Sequence, residues 1–314
     1  IHIVPNYSKE KLISIKESIL TVGSYDGIHL GHRELLSILS QKSNECGMPS
    51  VMVTFNPHPR EVLNEKLNDF PLIMNLDHKL EIIESYGVDI VYIINFTKKY
   101  SKVTAHEFMN KTIVPFFNPK KIIIGVNHYF GKGREGTPSF LKTFGQKNNI
   151  EIVIIQPILY KKLKISSTRI RQYLIEGQIK DANYELGSKF SIKGEVVHGS
   201  GRGRKLSFQT ANINPLDKKQ LLPKKGVYLI YGRIVGLNAF GMCNLGVRPT
   251  FGEKNLVMEI HFFHEQIPNL YGKKVKVEFL ERIRDEKKFP TSKDLVKQLK
   301  KDKLTCLELS SRYK

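Results

Sequence analysis

The stretch "TVGSYDGIHLGHRELL", Thr21 to Leu36, decides how the chain is read. An apolar, β-branched run ends in it. An apolar-periodic run leaves it, with Leu35, Leu36 and Leu39 on one helical stripe and Gly47 as the stop. A strand therefore turns into a helix across His29 and His32. Two imidazoles three residues apart at a helix start lie on neighbouring parts of one turn, beside backbone N–H groups that lack intrahelical partners. Such a terminus attracts phosphate, and Gly27 and Gly31 let the backbone approach closely. A metal is the second reading: His58 in "TFNPHPRE" adds an imidazole, but no cysteine or acid completes a zinc spacing. A pair of ordinary surface histidines is the third.

Outward from this turn, strand-like and helix-like patterns alternate over residues 19 to about 176. "VMVTF", "VDIVYIINF", "KIIIG" and "EIVIIQPI" read as strands; "DHKLEIIESYG" and "TAHEFMNKTIVPFF" read as helices, the latter with Thr104 as N-cap. Short strands apolar on both faces, alternating with helices, predict a Rossmann-like α/β domain with a covered parallel sheet. After "DANYELGSKF" the pattern changes to "GEVVHG", "GVYLIYGRIV", "LVMEIHFF" and "KVKVEFL", separated by Gly- and Pro-containing turns. Alternation puts Leu256, Met258, Ile260 and Phe262 on one face and Val257, Glu259, His261 and Phe263 on the other. Short strands so spaced predict an antiparallel β-barrel or sandwich. "PTSKDLVKQLKKDK" predicts a C-terminal amphipathic helix, with Thr291 and Asp294 at capping-box spacing. The expected domains are 1–186 and 187–314.

The totals agree with two domains. The chain has 314 residues, 40% hydrophobic and 25% charged, an ordinary globular composition too long for one core. No apolar stretch approaches the ~20 residues of a membrane-spanning helix, and no signal peptide opens the sequence, so a cytoplasmic location without membrane contact is expected. Cys46, Cys243 and Cys306 show no CxxC spacing, which fits a reducing compartment. The formal charge of +20 suits a handler of polyanions, or a lysine-rich solvated surface. Nucleic acid is not expected as a partner, because no aromatic-interleaved basic motif or RNP-type sequence occurs. Oligomeric state is not legible.

A second stretch, "KISSTRIRQYLIEG" from Lys164 to Gly177, favours phosphate. Ser166, Ser167 and Thr168 stand just before a predicted helix, with Arg169 and Arg171 in its first turns. Hydroxyls, free amides and a guanidinium make an anion site. In a parallel sheet both turns open at the carboxyl ends of strands, where such folds bind ligands.

"HLGH" paired with a later "ISSTRIR" resembles the signature of nucleotidyltransferases. With "GSYDGIHLGH", "TFNPHPREVL" and "IIIGVNHYFGKGREGT" in order, the first domain resembles the FMN adenylyltransferase half of bacterial bifunctional FAD synthetases. The resemblance implies attack of an FMN phosphate oxygen on the α-phosphorus of ATP, giving FAD and pyrophosphate. It implies that Asp26, Gly27, His29, His32, Ser167, Thr168 and Arg171 hold ATP, with His29 and His32 catalytic, and that His58 and Asn127 line the flavin end. Two positions depart from the pattern: Tyr25 and His128 stand where phenylalanine is usual, and the second is expected to alter flavin stacking.

"GEVVHGSGRGRKLSFQTANI", Gly194 to Ile213, carries a Gly-rich loop whose amides can wrap phosphate, or which is an ordinary basic hairpin loop. Followed by "LPKKGVYLIYG", "NLGVRPTFG", "LVMEIHFF" and "LYGKKVKVEFLERIRDEKKF", it resembles the riboflavin kinase domain, a small β-barrel with a C-terminal helix. The resemblance implies conversion of riboflavin to FMN by Mg²⁺–ATP. Gly201, Arg202, Gly203, Arg204 and Thr210 then bind ATP, Thr210 and Asn212 hold Mg²⁺, Glu259 is the base, and Arg284 seats the flavin. Gln209 departs from the family's proline, which would fix φ before Thr210, and weaker Mg²⁺–ATP binding is expected from it. The alternative is a monofunctional FMN adenylyltransferase with a degenerate kinase domain.

Overall fold

The computed structural model describes residues 2–5, 15–63, 70–198, 208–234, 236–250, 253–264 and 269–313. The chain divides into two compact units, Ile1–Ser167 and Thr168–Lys314.

The first unit is a six-stranded parallel sheet. Its strands are β1 (His2–Pro5), β2 (Ser18–Val22), β3 (Ser50–Phe55), β4 (Ile90–Ile94), β5 (Pro119–Gly125) and β6 (Glu151–Ile155). They lie in the order β1-β4-β3-β2-β5-β6, and every pairing is parallel. β2 is buried along its whole length, as the unbroken apolar run requires of a strand covered on both faces. Helices α1 (Leu30–Cys46), α2 (Pro59–Leu63) and α3 (Leu76–Ser85) follow β2 and β3. One face of the sheet packs Leu35, Leu36, Leu39 and Ile83 against Ile19, Met52 and Val91. The other packs Phe108, Ile113, Phe117 and Phe144 against Leu20, Val51 and Ile122.

The helix expected at "TAHEFMNKTIVPFF" forms as α4 (Ala105–Phe108), a π turn at Met109–Ile113, and α5 (Val114–Phe117). Thr104 caps it in a full capping box with Glu107. "PSFLKTFGQKN" is α6 (Pro138–Asn148). The antiparallel hairpin β7 (Leu159–Tyr160) and β8 (Leu163–Lys164) leads into α7 (Ser167–Glu176). The helix therefore begins at Ser167, so Ser167 and Thr168 occupy its first turn instead of preceding it.

In the second unit α8 (Ile179–Leu186) precedes strands β9 (Ser191–Val197), β10 (Ala211–Pro215), β11 (Gly226–Ile234), β12 (Leu237–Thr250), β13 (Glu253–Phe262) and β14 (Lys274–Arg284). These close an antiparallel barrel in the order β10-β13-β12-β11-β14-β9. Closure leaves no free edge. Met258, Ile260 and Phe262 are buried and Glu259, His261 and Phe263 half-buried, the alternation read from the sequence. The C-terminal helix α9 (Ser292–Ser310) is capped by Thr291 and buries Cys306 with Phe208, Val227, Leu229, Met242 and Leu280. Arg169 pairs with the fully buried Glu185, joining α7 to α8. No helix among the described residues is long and apolar enough to cross a membrane.

Candidate active sites

From β2 the chain goes to β3 and β4 on one side of the sheet and later to β5 and β6 on the other. The carboxyl ends of β2 and β5 thus flank a reversal of strand order, the place where open α/β sheets leave a crevice for ligand. The turn Gly23–His29 leaves one of these ends, and Val126, Asn127 and His128 leave the other.

The turn is tightly constrained. Tyr25 (φ 49°), Gly27 (φ 84°) and Ile28 (φ 39°) are all left-handed. Only the glycine takes that conformation freely, and a β-branched residue there is strained. Neighbouring bonds hold it: the Asp26 carboxylate accepts from the Ile73 amide at 3.1 and 3.3 Å, and the Asp26 carbonyl accepts from Ser167 Oγ at 2.8 Å. Asp26 is thus an internal brace. The hydroxyl of Tyr25 meets Thr21 Oγ1 at 2.5 Å, and Thr21 in turn donates to the Ile123 carbonyl. A buried tyrosine is accommodated where phenylalanine was expected because its hydroxyl has this partner.

His29 is the N-cap of α1, and its Nδ1 accepts from the His32 amide at 3.3 Å. The two imidazoles stack at 3.6 Å with 13° between planes, and Tyr25 meets His32 edge-on at 5.1 Å. Burial lowers the His29 pKa to about 4 and holds that of His32 well below its ordinary value, with His29 and Lys79 adding repulsion. Both rings are therefore neutral at pH 7 and supply hydrogen-bonding nitrogens, not charge. His32 Nδ1 is buried without a partner.

One buried cation at the turn escapes sequence reading. Lys79 on α3 is buried and donates to the Ser24 carbonyl at 2.7 Å, and burial lowers its pKa to about 8, against the pull of Asp26. Its signal was positional: Lys79 shares the inward stripe of Leu76 and Ile83, where an apolar residue belongs. Ser167 and Arg171 stand four apart on α7, hence on one side of it, and Arg171 is buried; Thr168 is exposed. His58 stacks on Phe70 at 4.9 Å and is buried. Asn127 is exposed at the end of β5. His128 lies on Phe130 at 5.5 Å beside Val22, Phe108, Ile124 and Leu141, its Nε2 buried without a partner and its pKa lowered by burial to about 4. It stands half-buried against these side chains as a neutral ring.

In the barrel, Asn212 on β10 is the direct cross-strand partner of Glu259 on β13, and Asn244 on β12 is its partner on the other side. Directly paired residues hold their side chains within reach of one another. Thr210 stands immediately before β10, two residues ahead of Asn212. Asn244 was not singled out from sequence. Arg284 donates to Asp302 on α9 through Nε at 3.0 Å and Nη2 at 2.6 Å, and to the Asp285 carbonyl through Nη1 at 2.8 Å. Gly201, Arg202, Gly203 and Arg204 lie outside the described residues.

Comparison with known proteins gives two family matches in succession along the chain. Residues 12–169 match the family model for FAD synthetase, and residues 186–310 match that for riboflavin kinase. A bifunctional riboflavin kinase/FMN adenylyltransferase of Buchnera aphidicola is 36% identical over 94% of this chain and 94% of its own. That of Escherichia coli strain K12 is 33% identical over 92% of each. A crystal structure from Streptococcus pneumoniae, described as a macrolide-efflux protein, superposes with TM-score 0.89 at 32% identity, covering 98% of this chain and 99% of that one. With the histidine turn at the sheet's reversal and Asn212 opposite Glu259 in the barrel, these matches show that the chain belongs to the bifunctional riboflavin kinase/FMN adenylyltransferase family.

Proposed function

We propose that the barrel phosphorylates riboflavin to FMN with ATP, and that the α/β domain transfers AMP from a second ATP to FMN, giving FAD and pyrophosphate. The observation that carries this reading is the stacked His29–His32 pair at the strand-order reversal, at the start of helix α1. Catalysis of adenylyl transfer needs no covalent enzyme intermediate, so it is positioning and charge stabilisation. His29 and His32 direct ring nitrogens at the phosphates, the α1 amides add donors, and Ser167, Thr168 and Arg171 grip from α7. Lys79 supplies the buried positive charge the neutral imidazoles lack. Asp26 and Gly27 shape the nucleotide end; His58 and Asn127 serve the flavin end.

In the kinase, Glu259 takes the proton of the ribityl hydroxyl as it attacks the γ-phosphorus, which a positioned carboxylate favours for so weak an acid. Two neutral oxygens, from Thr210 and Asn212, would hold Mg²⁺, a hard cation whose shell is completed by phosphate oxygens and water. When bound, the ion offsets charge on the transferred phosphoryl group. Gly201, Arg202, Gly203 and Arg204 hold the ATP phosphates. Arg284 serves the flavin indirectly, by bracing β14 against α9 through Asp302. We place the domain boundary at 186/187, the enzyme in the cytoplasm, where its free cysteines stay reduced, and no nucleic acid among its partners.

Riboflavin incubated with Mg²⁺–ATP and resolved by chromatography should yield FMN and then FAD. Glu259→Ala should abolish FMN formation and spare conversion of added FMN to FAD. Wild-type protein that makes FAD from FMN but no FMN from riboflavin would overturn the kinase reading.

A further inference from the structure

His261 stands two residues after Glu259 on β13, on the same face of the strand. Its Nδ1 lies 2.9 Å from the carbonyl oxygen of Gln209. A carbonyl only accepts, so the neutral ring carries its proton on Nδ1 and donates. The ring also meets Phe208 at 5.1 Å and Phe263 at 5.9 Å. Phe208 itself is buried in the cluster beneath α9. Two successive residues are thus anchored, Phe208 by its ring and Gln209 by its carbonyl, immediately before Thr210.

The geometry points to His261 as a positioning residue for the kinase site: its bond to Gln209 fixes the peptide plane that sets the orientation of Thr210. The Gln209 carbonyl and the Thr210 N–H belong to one rigid plane, so holding the oxygen removes the rotation about ψ of Gln209 that would otherwise swing Thr210. A proline in place of Gln209 would restrict the same segment through φ; a glutamine leaves φ and ψ both free. His261 supplies from the opposite strand the constraint that residue 209 does not supply itself. The inference rests on the proposed role of Thr210.

The test uses the full chain with Mg²⁺–ATP and riboflavin. His261→Leu removes the donor. It should raise KM for Mg²⁺–ATP roughly fivefold, the loss of one neutral hydrogen bond, with kcat within twofold. His261→Asn, whose amide nitrogen can take the place of Nδ1, should restore most of it. Combined with Gln209→Pro, the effect of His261→Leu should shrink to under about twofold, because φ is then fixed by the ring. In protein without Mg²⁺ or nucleotide, amide exchange over residues 208–212 should quicken severalfold in His261→Leu and not in His261→Asn. Amide-exchange protection of Val227, Leu229 and Leu280 in the barrel core, unchanged from wild type, reports that the variant barrel is folded. An unchanged KM, a fall in kcat alone, or an effect of His261→Leu that is equal with and without Gln209→Pro would overturn the inference. Thr210→Ala separates the two claims: if it leaves FMN formation intact, the role of Thr210 is wrong; if it abolishes FMN formation while His261→Leu changes nothing, only His261 is.

Discussion

Burial of the His29 ring makes a stability prediction that can be sized. Its pKa is about 4 in the folded chain against about 6.5 in an unfolded one. Between these values the unfolded state binds more protons, so stability rises with pH across this window and is lost as pH falls from about 6.5 to about 4. The full difference corresponds to about 3.4 kcal/mol for this one ring, of which about 2 kcal/mol is already lost at pH 5. The informative variant is His29→Asn, because asparagine is a strong N-cap and can accept from the His32 amide as Nδ1 does. Two units need not unfold together, so the readout should be local. Amide-exchange protection of Leu35, Leu36 and Leu39 in α1, corrected for intrinsic rates, should fall about 30-fold more in wild type than in His29→Asn on going from pH 7.5 to pH 5. His32 stacks on His29 and its pKa is lowered partly by it, so the His32 ring is titrated in both proteins and any difference is subtracted. An NMR titration of the His29 ring proton gives the decisive control: a midpoint near 6.5 in the free protein would refute the argument, as would equal losses of protection.

Two further predictions concern buried charge. Lys79→Met keeps the stem and removes the amine. FAD formation from FMN should drop at least about tenfold, with FMN formation unchanged. In wild type that activity should decline as pH rises through about 8, where Lys79 loses its proton, and in the variant this limb of the profile should be absent. In the barrel, Asp302→Ala leaves the Arg284 guanidinium without its buried partner. It should cost about 3 kcal/mol in urea unfolding followed by far-UV signal, while Arg284→Met with Asp302→Leu should recover most of that.

How much of this was legible follows from the kind of signal each part emits. β2 to β6 were readable because strands buried on both faces are continuous apolar runs, and α1, α3, the α4–α5 helix and α7 from their periodicity or caps, whereas the five-residue α2 was not read and α6 stood only as a separator. β1 was missed because "HIVP" is four residues at the sheet's edge, too short to show a period. The hairpin "LY"–"LK" was missed for the same reason. β10 and β12 were seen only as motifs: "ANINP" is polar at alternate positions and ends in proline, and β12 is punctuated by glycines. The histidine turn was legible because glycine and histidine there have few other uses. Its protonation was not, since the burial that neutralises both rings arises from segments distant in sequence. Lys79 and His261 illustrate the same limit: a lysine on an apolar stripe and a histidine on a strand acquire their roles only from the carbonyls of Ser24 and Gln209, which folding brings to them.

The neutral state of the imidazoles also bears on how an adenylyl transfer would be accelerated. Two cationic rings would bind ATP and the transition state alike, which lowers KM without raising kcat. Two neutral rings in a strained turn would bind the ground state less strongly, yet their basicity rises as negative charge accumulates on the departing pyrophosphate. A group held below its ordinary pKa by burial has that much protonation free energy in reserve, and an anion arriving beside it releases part of it. On the function proposed above, the charge that steers ATP would come from elsewhere, from Lys79 under the turn and from a chain of net charge +20. Steering and transition-state stabilisation are thereby assigned to different residues. His29→Asn should accordingly lower kcat for FAD formation more than it raises KM for ATP, whereas Lys79→Met should alter both, and equal effects of His29→Asn on kcat and on KM would contradict the division.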